Sequence, residues 1–292
     1  MTPRKDWQPG QLRARLQAQT QHGLKTGALL PIATDYELVE SGGVIFVVRI
    51  VANLGRKSKA TKKQQRKDPD FNPFLPYEPD LYVTDISETH LCLLNKYNVV
   101  DHHLLIVTRA FESQETWLNL ADFEALSRCL NEIDGFAFYN AGPVAGASQH
   151  HKHLQLVPLP MIESGPGLLI DQLAGDRSKL NGWEPTLPFC CAIRPLDRVS
   201  GSDLLQTYRQ LLYMLEIGDP RDRWQGDQLA PYNLLCTRRW MMVVPRSQES
   251  YGPISVNSLG FAGSLLVKNS ERLETLKSTG PMAVLEQVSL PC

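Results

Sequence analysis

The stretch that most restricts what this chain can fold into is Asn140-Ala-Gly-Pro-Val-Ala-Gly-Ala-Ser-Gln-His-His-Lys-His-Leu-Gln-Leu-Val-Pro-Leu-Pro160. In its second half His151, His153 and Gln155 fall at every other position, with Lys152, Leu154 and Leu156 between them. Side chains flip face at each residue of an extended strand, so the two histidines and the glutamine share one polar face and the leucines supply a core on the other. The first half contains Gly142 and Gly146 among small residues. Such a loop can turn its backbone N–H groups around an anion. A phosphate-binding loop feeding a histidine strand points to chemistry at phosphorus.

Three readings of this constellation compete. Histidines can simply satisfy hydrogen bonds in a core, but strict alternation of three polar residues behind a glycine loop is poorly explained that way. His151 and His153 could ligate zinc with His150 or a distant carboxylate. Against this, the chain has no HExxH and no cysteine pair at ligand spacing. The third reading is nucleophilic catalysis: an imidazole nitrogen attacks phosphorus and splits one displacement into two. Much of a histidine is unprotonated near neutral pH, so no strong base is required. Ser148, Gln149 and the loop N–H groups would then stabilise charge on the phosphoryl oxygens.

The remaining pattern predicts the scaffold. A short amphipathic helix is expected over residues 10–22, ending at Gly23, and a strand buried on both faces over Val44–Val51. Seven of the twelve residues from Arg56 to Lys67 are Lys or Arg. That run reads as a solvated loop from which Lys57 or Lys59 folds over a polyphosphate. Four prolines make residues 68–80 an irregular connection. Strands are expected at 89–96 and 102–108, with Asn95 and Lys96 ending the first where polar groups can face a ligand. His102 and His103 are assigned structural or surface roles. Asn119 caps a helix carrying Leu120, Phe123, Leu126, Leu130 and Ile133, and Phe136–Tyr139 is a strand entering the central loop.

Beyond a loop-rich stretch at 158–188, Ser202 is expected to cap a second helix ending at Gly218. Strands follow at 232–237 and 240–245, then a glycine-containing loop at 257–264, a strand and a charged C-terminal helix. The inventory predicts an α+β fold with a mainly antiparallel sheet and flanking helices, in two subdomains. The boundary falls between 1–165, the catalytic part, and 166–292, which completes the nucleotide site.

Composition narrows the class. Of the 292 residues 42% are apolar and 21% charged, and the formal net charge is −1. These values suit a globular protein without bulk attraction to nucleic acid. No apolar run reaches the roughly 18 residues that span a membrane, and no secretory signal is evident. Six cysteines without a framework suggest reduced thiols and a cytoplasmic location.

The residues quoted resemble the His-x-His-x-Gln signature of the transferase branch of the histidine triad superfamily, and within it the ATP adenylyltransferase, or diadenosine tetraphosphate phosphorylase, family. Phe138-Tyr-Asn-Ala-Gly142, Gly146-Ala-Ser-Gln149, Asn95-Lys96, Tyr232-Asn-Leu-Leu235, Trp240–Ser247 and Asn257–Gly263 with Val267-Lys268 carry the same resemblance along nearly the whole chain. It implies a histidine-triad-like fold and phosphorolysis of diadenosine tetraphosphate to ATP and ADP, reversibly, together with release of adenylyl sulfate from ADP and sulfate. His153 is then the nucleophile that takes AMP, His151 orients or polarises, and Gln155 holds the α-phosphate. Asn140, Gly146, Ala147, Ser148 and Gln149 bind phosphates, and Lys57, Asn95 and Lys96 contact substrate, with Asn257, Gly260 and Lys268 from the second half. Glutamine stands where hydrolases of the superfamily have a third histidine. It binds phosphate but cannot exchange a proton near neutral pH, which is consistent with transfer to phosphate rather than water. No tightly bound cofactor or protein metal site is implied, only magnesium accompanying the polyphosphate. The partners are small nucleotides, with no nucleic acid or membrane, and the chain is a monomer or dimer. The alternatives are a hexose-1-phosphate uridylyltransferase-type enzyme, or a sensor that binds the dinucleotide without turning it over.

Overall fold

The structure is a computed structural model that describes residues 7–51, 72–175 and 186–291. The basic run containing Lys57 and Lys59 lies outside the described residues, as does Cys292.

Helix α1, Leu12–Thr26, buries Leu12 and Leu16 and stops at Gly27, which adopts φ +75°. Gly23 therefore lies inside the helix instead of ending it. A Cβ there would come within 3.0 Å of the Leu29 side chain, so close packing and not termination explains that glycine. Strands β1 (Thr34–Ser41) and β2 (Val44–Val51) form an antiparallel hairpin turned by Gly42 and Gly43, both at positive φ. β1 mixes charged and apolar residues at the sheet edge. β2 is not buried on both faces along its whole length: Ile45 is 40% exposed.

Strands β3 (Tyr82–Asp85), β4 (His90–Leu94) and β5 (Leu104–Thr108) follow, and β4 pairs antiparallel with β5 as a hairpin. Helix α2, Leu120–Glu132, starts in a capping box. Asn119 Oδ1 accepts from the backbone N–H groups of Ala121 and Asp122, while Asp122 accepts from the Asn119 N–H. Such a cap is worth about 1 kcal/mol. Leu120 sits on the outer side of this helix and is exposed, not part of the core.

Strands β6 (Gly135–Asn140) and β7 (His153–Pro158) flank the central loop. The second half supplies a short helix α3 (Leu169–Ala174), strand β8 (Ala192–Pro195) and helix α4 (Gly201–Met214). Ser200, not Ser202, caps α4 by accepting from the Asp203 N–H. Strands β9 (Tyr232–Cys236) and β10 (Trp240–Pro245) form the second hairpin, and β11 (Ser250–Tyr251) and β12 (Ile254–Ser255) a small one. The expected loop at 257–264 contains a helical turn, α5 (Ser258–Phe261), capped by Asn257. After β13 (Ser264–Val267) the C-terminal helix is two helices, α6 (Ser270–Thr279) and α7 (Pro281–Val288). Gly280, at φ +88°, and Pro281 break it.

The main sheet has eight strands in the order β3-β4-β5-β7-β6-β9-β10-β8, all antiparallel, so it runs without interruption through both halves of the sequence. A second sheet, β1-β2-β13, pairs β13 parallel to β2. One face of the main sheet packs Leu104, Ile106, Leu154, Leu156 and Leu234 against α1, α2 and α4. The other face packs Phe136, Phe138, Val157, Leu235 and Met242 against β2, β13 and α7. Leu154 and Leu156 thus anchor β7 in the helical layer, and alternation turns His153 and Gln155 the other way. Among the described residues no helix is long and apolar enough to cross a membrane, and Cys92, Cys129 and Cys236 are buried free thiols.

Candidate active site

His153 opens β7 beside Val107 of β5 and is only 4% exposed. Its Nδ1 lies 2.8 Å from the main-chain carbonyl of His151. A carbonyl only accepts, so Nδ1 carries the proton and Nε2 carries the lone pair. Among the described residues Nε2 makes no hydrogen bond. Burial lowers the pKa to about 4 against the opposing effect of the carbonyl hydrogen bond. The ring is therefore neutral near pH 7, held in one tautomer, with a nucleophilic nitrogen directed away from the backbone.

His151 precedes β7, in an isolated antiparallel bridge with Ser113. Its Nε2 donates to the Thr108 carbonyl at 2.8 Å, with the Thr108 hydroxyl at 2.9 Å. Its Nδ1 accepts from Asn72 Nδ2 at 2.9 Å. Both nitrogens are thus engaged inside the protein, and the His151 group that meets His153 Nδ1 is its carbonyl. Phe74 packs against both histidine rings, at 5.5 and 5.4 Å between centroids, and Phe111 edges against His151 from the solvent side.

Gln155 shares the His153 face and is half-buried. Its Oε1 lies 2.9 Å from His103 Nε2. His103 Nδ1 lies 3.3 Å from Asn95 Nδ2, which can only donate, so His103 Nε2 carries the proton and Gln155 Oε1 accepts it. That contact leaves the Gln155 amide N–H groups to donate. Burial, reinforced by nearby His153, lowers the pKa of His103 to about 4 against the Gln155 hydrogen bond, so this ring is neutral too. His103, expected in a structural or surface role, is buried and hydrogen-bonded to Gln155. Asn95 reaches the site through His103. The Lys96 ammonium pairs with Glu78 at 2.5 Å, at the edge of this region.

The loop between β6 and β7 begins with a turn at Pro143–Ala145, flanked by Gly142 at φ +86° and Gly146 at φ +88°. The N–H groups of Ala145 and Ala147 donate to the Gly142 carbonyl and that of Gly146 to the Pro143 carbonyl. The Gly146 and Ala147 N–H groups are thus engaged within the loop, while Ser148 is exposed and Gln149 half-buried. A Cβ on Gly146 would meet Asn257 Cβ at 2.8 Å, so this glycine brings the first-half loop against the second-half cap. Asn140 is buried, its Oδ1 accepting from Asn233 Nδ2 and from the Ser258 N–H and hydroxyl. Asn233 also donates to the Ala145 carbonyl and accepts at 2.6 Å from the buried Arg246 guanidinium. Arg246 donates further to the carbonyls of Ala145, Gln248, Glu249, Val256 and Val288. Burial lowers its pKa to about 10, which leaves it charged. Gly260 fills a packing position, where a Cβ would meet Val256 and Leu265. Lys268 is exposed just beyond β13.

Sequence reasoning missed the contacts of His103, Asn233, Arg246 and Ser258 with the candidate site residues. The Asn233 and Arg246 motifs were visible, but their meeting with Asn140 is a tertiary fact. Among the described residues no three His, Cys, Asp or Glu side chains gather as a metal site.

Comparison with known proteins bears on this geometry. Residues 2–175 match the Ap4A phosphorylase N-terminal domain and residues 185–291 the ATP adenylyltransferase C-terminal domain. Diadenosine 5',5'''-P1,P4-tetraphosphate phosphorylase 2 of Saccharomyces cerevisiae is 30% identical over 260 residues, 78% of each chain. The chain belongs to the Ap4A phosphorylase family. The crystal structure of yeast Ap4A phosphorylase Apa2 superposes with a TM-score of 0.77 at 25% identity, covering 100% of this chain and 99% of that one. The Apa2 complex with Ap4A gives a TM-score of 0.75 with the same coverage.

In this family member the back of the chain around His153 is also polar. Lys152, between the two histidines, is buried on the opposite face, where its Nζ donates to Glu112 at 2.8 Å, the Trp117 carbonyl at 3.0 Å and Asp122 at 3.4 Å. Asp122 pairs in turn with His90 at 3.0 Å. An ammonium at this depth is tolerated because carboxylates and a carbonyl replace its water.

Proposed function

We propose that this protein is a nucleotidyltransferase that cleaves diadenosine tetraphosphate with inorganic phosphate, giving ATP and ADP through an AMP–His153 intermediate. Family membership supports the substrate, and the observation that carries the mechanism is the 2.8 Å contact from His153 Nδ1 to the His151 carbonyl. Nε2 attacks the α-phosphorus in line. A P–N bond forms, the bond to the bridging oxygen breaks, and ATP leaves as an anion that needs no general acid. The ring becomes cationic on adenylylation, and the Nδ1–H donated to a carbonyl stabilises that charge. Phosphate then attacks the same phosphorus, ADP departs, and His153 is again neutral.

Gln155 donates its amide hydrogens to the phosphoryl oxygens and cannot deliver a proton, in keeping with transfer to phosphate. With ADP as donor, His153 attacks the α-phosphorus and phosphate leaves; sulfate then attacks the same phosphorus, giving adenylyl sulfate and the free neutral ring. Ser148 and Gln149 face the leaving polyphosphate, whose magnesium travels with the substrate.

The test is to incubate the protein with diadenosine tetraphosphate, with and without phosphate, and follow adenylate by mass spectrometry. An AMP adduct without phosphate, discharged as ADP when phosphate is added, is the expected result. Turnover with no phosphate dependence would sink the reading.

A further inference from the structure

Antiparallel pairing of β6 with β7 runs from Gly135 opposite Pro158 to Phe138 opposite Gln155. Continued by two residues, the same register sets Asn140 opposite His153. That pair does not form, although Asn140 stays paired with Asn233 of β9 on its other side. The strands part at the point where the phosphate loop leaves β6 and the nucleophile begins β7.

The gap is filled by the side chain of Gln114, which is 1% exposed. Its Oε1 accepts from the His153 N–H at 2.8 Å, and its Nε2 donates to the Asn140 carbonyl at 2.9 Å and the His153 carbonyl at 3.2 Å. Just before β7 the Lys152 carbonyl accepts from the Thr108 N–H, on the β5 side. Neighbouring residues of a strand turn their peptide groups to opposite sides, so those of His153 face β6. The Gln114 amide thus serves three of the groups that a direct Asn140–His153 pair would use, as a peptide unit inserted between the strands. Its own main chain is held as firmly: the Gln114 N–H donates to the His150 carbonyl at 2.8 Å, and its carbonyl accepts from the Tyr139 hydroxyl at 2.5 Å.

We propose that Gln114 is a positioning residue for adenylyl transfer, one that holds β6 and β7 apart so that the phosphate loop and His153 Nε2 face one phosphorus. The inference rests on the AMP–His153 reading. A hydrophobic side chain could fill the same volume but would orphan a buried N–H and two carbonyls. An amide is required because one end must accept while the other donates.

Gln114→Glu tests this, since the carboxyl keeps the shape. When ionised it sets an oxygen against the Asn140 and His153 carbonyls; when protonated it accepts and donates as the amide does. Burial raises a carboxyl pKa, bringing this change toward neutral pH. The titratable groups around the position are Glu112, Glu115, Tyr139, His150, Lys152 and His153. Burial keeps His153 neutral and raises Tyr139 well above its usual range. The wild-type protein carries all of them and serves as the reference.

With wild-type phosphorolysis level between pH 6 and pH 8, Q114E should lose kcat by about 10-fold or more over that interval, its KM staying within about 3-fold. The AMP–enzyme should form more slowly in parallel. A Q114E kcat that follows the wild-type pH profile overturns the proposal. Should Q114E fail to fold, Gln114→Met decides: about a 100-fold fall in kcat at unchanged KM supports the positioning role, and wild-type kcat overturns it. Absence of an adduct in the wild-type arm would count against the AMP–His153 reading itself, separately from these ratios.

Discussion

His103 Nε2 lies 2.9 Å from Gln155 Oε1, so the side chain proposed to hold the phosphate is itself aimed by a second, buried histidine. Removing that donor frees the glutamine amide to rotate. His103→Asn should lower kcat for phosphorolysis about 10-fold, the equivalent of one hydrogen bond, with AMP–enzyme still detectable. Steady-state kinetics check this; an unchanged kcat would show that Gln155 is held by something else.

Burial lowers His153 and His103 from 6.5 to about 4. The rate of AMP–enzyme formation should therefore stay level from pH 8 to about pH 5 and fall only near pH 4. Stability follows with a defined sign. Below about pH 6.5 the unfolded chain binds protons at these histidines and the folded chain does not, so stability is full above that pH and is lost as pH falls toward about 4. Melting temperature against pH should show a shallower acid slope for His103→Asn. An activity inflection near pH 6.5 would mean the nucleophile is hydrated.

The His151 ring is engaged with Thr108 and Asn72, while its carbonyl orients His153. His151→Gln keeps that carbonyl and should reduce turnover by roughly 10- to 100-fold through small displacements. His153→Ala should abolish AMP labelling altogether. Comparing the two variants by adduct mass separates the roles; equal, complete loss would assign chemistry to both rings.

Much of this architecture is legible in the residues. The β4–β5 and β9–β10 hairpins, the Asn119 cap and the His153–Gln155 face follow from period and capping chemistry. Strand β1 is hidden because Asp35, Glu37 and Glu40 interrupt its apolar positions at an exposed edge. Gly23 misleads because a helical glycine can serve close packing, here against Leu29. Adjacent His102 and His103 give no local cue to which one faces the site; the deciding partner, Gln155, is 52 residues away. Gln114 is invisible for the same reason, since its value lies in a gap between strands that only the register reveals.

Arg246 offers a test of the second half's contribution. Its guanidinium ties Asn233, the Ala145 carbonyl and the chain's C-terminal helix together. Arg246→Met should orphan these acceptors and cost roughly 2–4 kcal/mol of stability. Chemical denaturation would measure it, and a loss below about 0.5 kcal/mol, the range of ordinary surface changes, would deny the network that role.

The most direct measurement of the central claim is nitrogen NMR of the trapped adenylyl-enzyme, prepared with labelled histidine and diadenosine tetraphosphate in the absence of phosphate. The expected result is phosphorus coupled to Nε2 of His153, with Nδ1 still protonated. Phosphorus on Nδ1, or on any other residue, would contradict it.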